Sequence, residues 1–331
     1  MSRVSRYGFI LAKVYGIMAR SFIGRNFQDL LRLKKLSELH DTLFPGEKLE
    51  HPEQVLAEDM EVRIVRAGID AMIYVLDFLG EPVEILVHIL RRLEYQNVKT
   101  IIRGIRGGAT EGMRLWDLGD YAGVRLTGVS DYEKALRKSV YAWILPLLPE
   151  TPIAQIENAL DRQYYTRLLD LASALPAREG KGILRLITLE AALANVIWAL
   201  RLRFYFGMDE NQAQGLMIPG LSAAQKAAVS QAFQIPAESI EEWRKWKYGW
   251  LLEDQLGESF RAPDPLKAEE QAARMLSVRA HQIFHQNPFT LTPLVAYFKL
   301  KEYEITLLKT AVEALHFSLS EQEVLSLVGA R

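Results

Sequence analysis

Apolar residues recur at intervals of three and four along most of this chain, which is the spacing of helices that bury one face. Phe9, Ile10, Val14, Ile17 and Met18 predict a first helix over residues 7–19, stopping near Gly24. Asn26 is placed to cap a second, with Phe27, Leu30, Leu31, Leu33 and Leu36 on its apolar side. After a Phe44-Pro45-Gly46 turn, Val55, Leu56, Met60, Ile64, Val65 and Ile69 predict a long helix over 52–79, ended by Gly80. Pro82 opens the next, expected to run to about Ile102; the glycine-rich residues 104–128 break it, and a helix over 131–145 follows. Thr151-Pro152 starts another, and residues 176–182 read as a loop before an apolar helix over 183–206. A loop over 207–220, two short helical segments beginning near Ser222 and Ala237, and a helix over 266–284 lead to the stretch that organises the chain, residues 287–311.

That stretch reads NPFTLTPLVAYFKLKEYEITLLKTA. Asn287-Pro288 disfavours the α region at Asn287 and presets a turn. Leu294, Val295, Tyr297 and Phe298 form one apolar helix, residues 301–304 read as a polar hinge, and Ile305, Leu308, Ala311, Val312 and Leu315 form a second. A capping box over Ser320-Glu321-Gln322-Glu323 predicts a last short helix. No run alternates with period two between hairpin turns, so the expected fold class is all-α.

With 331 residues the chain is long enough for two or three domains. Lys plus Arg number 40 against 41 acids, which argues against a nucleic-acid partner. There is no cysteine, so thiol nucleophiles, disulfides and thiolate metal sites are excluded, and a cytosolic setting is expected. Lys13 cuts the N-terminal apolar run, so a secretory signal is not expected. The apolar uncharged runs 140–149 and 191–200 fall well short of the about twenty residues of a membrane span. Any membrane association is expected to pass through a partner.

Residues 287–311, with Asn-Pro, an apolar helix containing Ala-Tyr and then Lys-Glu-x-Glu-Ile, resemble the C-terminal signature of the C subunits of V-type and archaeal-type ATPases, named d in eukaryotes. Residues 94–103 (EYQNVKTIIR) resemble the Asn-apolar-x-x-apolar-apolar-Arg element of that family. Residues 156–165 (IENALDRQYY) and 190–203 resemble its acidic-apolar helix and its second repeat. Asn97-Val98, Asn195-Val196 and Glu304-Ile305 align as the same position in three helices, an internal repeat with a period of roughly a hundred residues. The first repeat departs from the family pattern, being punctuated by Gly8, Gly16 and Gly24.

The resemblance implies three similar helical domains, near 1–115, 116–215 and 216–331, arranged as a pseudo-three-fold funnel. It also implies a non-catalytic central-stalk role, with D- and F-type shaft subunits on one side and the membrane ring of proteolipid subunits on the other, at the cytoplasmic face. The expected alternative is a helical-repeat adaptor unrelated to rotary ATPases, which would show regular periods of about 35 to 45 residues. A third class, an all-helical enzyme, would need converging acids or a ligand cluster.

Candidate chemistry is sparse. His281 and His285, four apart, would share a helix face, but Gln282 stands where a zinc-protease motif has Glu, and no metal site is expected. The Gly-rich basic run 103–112 lacks the Gly-Lys-Ser/Thr of a phosphate loop, so no nucleotide cofactor is expected either. Acidic pairs such as Glu58-Asp59 and Asp209-Glu210 are adjacent and read as solvated caps and loop ends. Arg103, Arg106 and Glu111 in the first Gly-rich loop, and Trp243 and Trp246 in the Trp243/Trp246/Trp250 stripe, are the candidate interface residues. Aromatic residues at helical spacing more often serve the core.

Overall fold

A computed structural model of the chain describes residues 3–48, 52–257, 259–319 and 323–325. All regular structure among them is helical. The α-helices are α1 (Arg3–Met18), α2 (Arg25–Leu30), α3 (Leu36–Leu43), α4 (Glu53–Leu79), α5 (Glu84–Leu90), α6 (Arg92–Gly107), α7 (Tyr132–Arg137), α8 (Ile153–Ser173), α9 (Ala177–Phe204), α10 (Glu210–Gln214), α11 (Ala223–Gln234), α12 (Ile240–Lys245), α13 (Pro265–Phe284) and α14 (Thr292–His316). Short 3₁₀ turns lie at Gly119–Tyr121, Ala142–Leu147 and Gly249–Leu252.

The chain forms two compact units, one made of residues 1–79 with 234–331, the other of 80–233. In the first unit α14 is the hub, packing on α13, α4, α1, α3 and α2. Its residues Thr292 to Leu300 are buried on every side, as a helix surrounded by others must be. Against its second half, Phe27, Leu36, Leu39, Leu56, Met60 and Ile64 close one apolar cluster with Leu307, Leu308, Ala311 and Val312. Gly68 lets α4 approach α14 closely, because a Cβ there would overlap the Ile305 side chain.

The second unit is built on α8 packed against α9, with α5 and α6 laid on α8. Helix α9 is long and apolar enough to cross a membrane, but 67% of its apolar window is buried. It is the core helix of that unit.

Several boundaries differ from those expected. Residues 301–304 are no hinge: α14 runs through them, because Lys, Glu and Tyr are compatible with helix and no Gly or Pro intervenes. Their charges pair within the helix, Lys299 Nζ with Glu302 Oε2 at 2.9 Å and Lys301 Nζ with Glu304 Oε2 at 2.5 Å. The single helix expected from Pro82 starts at Glu84 and breaks at Arg91 into α5 and α6. The helix expected over 131–145 is the short α7 followed by a 3₁₀ turn, since Pro146 cannot supply an N–H to an α-helical ladder. Residues 177–182, expected as loop, are the first turns of α9, its Gly180 and Gly182 carried by the helix that follows. Asn287 sits at φ 49° and Phe289 at φ 70°, a left-handed turn that brings the Phe289 ring against Gly8, where a Cβ would lie 3.2 Å from Cε1. The expected capping box spans residues 320–323, of which 320–322 lie outside those described.

Candidate functional site

One face of the segment Arg91–Asn97 carries a polar residue at every third position, and each grips the same glycine-rich loop. Arg91 Nε donates to the Tyr121 carbonyl at 2.8 Å. Glu94, 2% exposed, accepts from the backbone N–H of Gly123 at 2.5 Å and of Val124 at 3.2 Å, and from the Tyr141 hydroxyl at 2.7 Å. Asn97 brackets one residue, its Nδ2 donating to the Trp116 carbonyl at 2.7 Å and its Oδ1 accepting from the Trp116 N–H at 2.8 Å. Spacing of i, i+3, i+6 keeps the three side chains on one side of the helix. A loop that turns through left-handed Gly108, Gly112, Gly119 and Gly128 lacks a ladder of its own, so these side chains satisfy its backbone.

The same bracket recurs. Asn195 Nδ2 donates to the Ile218 carbonyl at 3.0 Å, and its Oδ1 accepts from the Ile218 N–H at 2.7 Å. At the third aligned position Glu304 Oε1 accepts from the Phe22 N–H at 2.6 Å. The residues aligned by sequence thus share a role, which is to hold a connecting segment against the face of a long helix. In the third case the held segment is N-terminal.

Between α5, α6, the loop at 122–123 and α8 lies a cleft of about 930 Å³, contained in the second unit. Its floor is aromatic and polar. His88 Nε2 donates to the Tyr164 carbonyl at 2.9 Å and stacks on the Tyr164 ring at 4.9 Å; Tyr95 packs edge-on against Tyr141 and Tyr164. Burial, with the Glu94 carboxylate second, pushes the Tyr95 phenol up to about 12 and raises Tyr141 still further. Tyr141 therefore stays protonated and donates permanently to Glu94. Trp143 Nε1 donates to Gln163 Oε1 at 3.3 Å along one wall. Arg91, Arg162 and Arg167 line the cleft with Glu84 and Asp170. Arg162 Nε is buried without a hydrogen-bond partner. Chemically the cleft is a set of fixed donors, able to hold an anionic group.

The residues singled out from sequence are dispersed. Arg103 is bound to Glu157 by both Nε and Nη2, at 2.5 and 2.8 Å, and Arg106 Nη2 donates to the Thr151 carbonyl at 2.6 Å. Both tie the end of α6 to the start of α8, while Glu111 is exposed in the loop beyond. Trp243 and Trp246 are buried, 0% and 5% exposed, and meet edge-on at 5.3 Å; Trp243 Nε1 donates to the Ala237 carbonyl. They serve the core of the first unit. His281 on α13 and His285, just past its end, stand at the surface with rings 4.9 Å apart, and partial burial first, His285 second, holds His281 below the usual histidine range. Among the described residues no group of three metal-ligating side chains occurs. Asp209 caps α10 in a full capping box with Gln212, a structural role for that acid. Arg91, Tyr141 and Arg162, absent from the sequence-based candidates, build the cleft. Of these, only Arg91 leaves a signal in the sequence, as the first of the polar residues spaced three apart at Arg91, Glu94 and Asn97.

A family profile described as ATP synthase (C/AC39) subunit matches residues 10–327. The chain belongs to that family. The C subunit of the A-type ATP synthase of Methanosarcina barkeri (strain Fusaro / DSM 804) is 24% identical over 253 residues, covering 73% of this chain and 69% of that protein. The A-type ATP synthase protein of the same name from Haloferax volcanii is 25% identical over 240 residues, 68% of each chain. A protein from Treponema pallidum (strain Nichols), described as uncharacterized, is 24% identical over 320 residues, 93% of this chain and 92% of its own length. An adaptor unrelated to ATP synthases does not account for a match of that extent.

Proposed function

We propose that this member of the C/AC39 family is a non-catalytic central-stalk subunit of a rotary ATPase, joining the shaft subunits to the proteolipid ring at the cytoplasmic face of the membrane. The observation that carries the reading is the family match over residues 10–327. The repeated contact supports the finer part: Asn97 and Asn195, bracketing Trp116 and Ile218, and Glu304, accepting from the Phe22 N–H, are what three related helical domains would retain. Those domains lie near 1–115, 116–215 and 216–331, the third closed by the N-terminal segment through Phe22.

A part that passes torque must resist shear. Close-packed helices do so because protein interiors have low compressibility. Loops pinned to helix faces at both N–H and C=O keep their surfaces fixed under load. The end of α6 with Arg106, and the loop beyond it with Glu111, contribute to the contact surface. The role is tested by depleting the chain from the reconstituted complex. ATP-driven ion pumping is expected to disappear while the detached catalytic head still hydrolyses ATP; pumping that persists without the chain would refute it.

A further inference from the structure

We propose that the cleft of the second unit is a socket for an acidic side chain of a protein partner, its carboxylate held between the guanidinium groups of Arg91 and Arg162. Three observations carry this. First, the inner cations are free to act. Arg91 uses only Nε, on the Tyr121 carbonyl, and among the described residues Arg162 has no hydrogen bond or ion pair. A partly buried guanidinium without a partner has lost water that nothing in the chain replaces.

Second, the buried acid of the cleft is already committed. Glu94 takes two backbone N–H groups and the Tyr141 hydroxyl, so its oxygens are largely used. Gly123 lies against both groups: a Cβ there would stand 3.0 Å from Glu94 Oε1 and 3.6 Å from the Arg91 guanidinium carbon. Any side chain at that position would intrude on the space beside Arg91.

Third, the rim has the opposite balance. Glu84, Arg167 and Asp170 are exposed there, two carboxylates to one guanidinium. A polyanion such as a nucleotide would meet the guanidiniums only after passing these acids. A single carboxylate flanked by basic residues meets attraction at both depths: the acid inside, its neighbours against Glu84 and Asp170. The cleft, about 930 Å³ and open, admits a protruding side chain with part of its segment. The partner chemistry is therefore a protein segment with a central Asp or Glu between Lys or Arg residues.

This rests on the chain working as a joint between other subunits, and the test separates the two claims. Arg162→Glu and Arg162→Lys variants are incorporated into the complex, and a benzophenone amino acid replaces Thr166 at the cleft wall for photocrosslinking. The isolated Arg162→Glu chain is expected to melt like the parent, since Arg162 makes no bond within it. In the complex, dissociation on raising salt is expected to be about tenfold or more easier for Arg162→Glu, with Arg162→Lys intermediate, as for loss of a charge-assisted bond. The crosslinked peptide is expected to carry an acid flanked by basic residues. Parent-like retention of Arg162→Glu in an intact complex overturns the socket and leaves the subunit role standing. Crosslinking to no protein, with inorganic phosphate instead raising the melting temperature of the isolated parent but not of Arg162→Glu, overturns it in favour of a free anion. Failure of the parent itself to assemble overturns the subunit role as well.

Discussion

Replacing Asn195 by Ala removes both halves of the bracket that holds residue 218. Asn195 and Ile218 are each 3% exposed, and the two bonds measure 3.0 and 2.7 Å. The substitution leaves a buried N–H and a buried C=O on Ile218 with no partner and no route to water. Each such group costs about 1–3 kcal/mol, so the pair is expected to cost about 2–6 kcal/mol. The loss falls on the second unit, and the two units need not unfold together, so a single global melt is a blunt readout. Hydrogen exchange resolves it: the Ile218 amide is expected to exchange faster in Asn195→Ala by a factor of about 30 or more, equivalent to at least 2 kcal/mol of lost protection. Asn195→Asp keeps an acceptor for the Ile218 N–H but sets a carboxylate against the Ile218 carbonyl, so it is expected to protect the amide partly while still lowering stability. Urea unfolding of the Ala variant within about 0.5 kcal/mol of the parent, with unchanged exchange at Ile218, would refute the reasoning. The bracket would then be ornament.

Tyr141→Phe takes one of three donors from the buried Glu94 carboxylate and is expected to cost about 2 kcal/mol in urea unfolding. Gly68→Ala drives a methyl into Ile305 at the α4–α14 contact and is expected to destabilise the first unit by about 1–3 kcal/mol, read as a lowered thermal midpoint. Glu270 is pushed up to about 7, by burial first and the Asp264 carboxylate second. Its folded state binds the proton more tightly than the unfolded one, so its favourable contribution is full below about 4.5 and is lost as pH rises through 7. Glu270→Gln is therefore expected to raise the melting temperature relative to the parent at pH 8, with the gain shrinking towards pH 5.

Much of this fold is legible in the sequence because helical periodicity is a strong signal. The apolar positions of α4 and α14 and the span of α13 follow from spacing, and aligning Asn97, Asn195 and Glu304 finds three residues with a common job. Boundaries are harder. Residues 301–304 read as a hinge because four polar residues interrupt an apolar pattern, yet a helix can bury charges that pair with one another three residues apart. Residues 177–182 read as a loop because two glycines lie among polar residues, and only the packing of α9 on α8 makes them helical. The cleft is invisible in the sequence for another reason. Arg91 and Arg162 are far apart along the chain, and nothing local to either says that the fold sets them on one surface. Trp243 and Trp246 illustrate the reverse: a stripe that could face a partner is buried.

The most direct test of the central claim is affinity purification of the tagged chain from its native membranes in mild detergent, with mass spectrometry of what co-purifies. The account predicts that the shaft subunits, the catalytic subunits of the head and the ring proteolipid come down together in fixed ratio. Recovery of the chain with none of them, in detergent that keeps other membrane complexes intact, would contradict it.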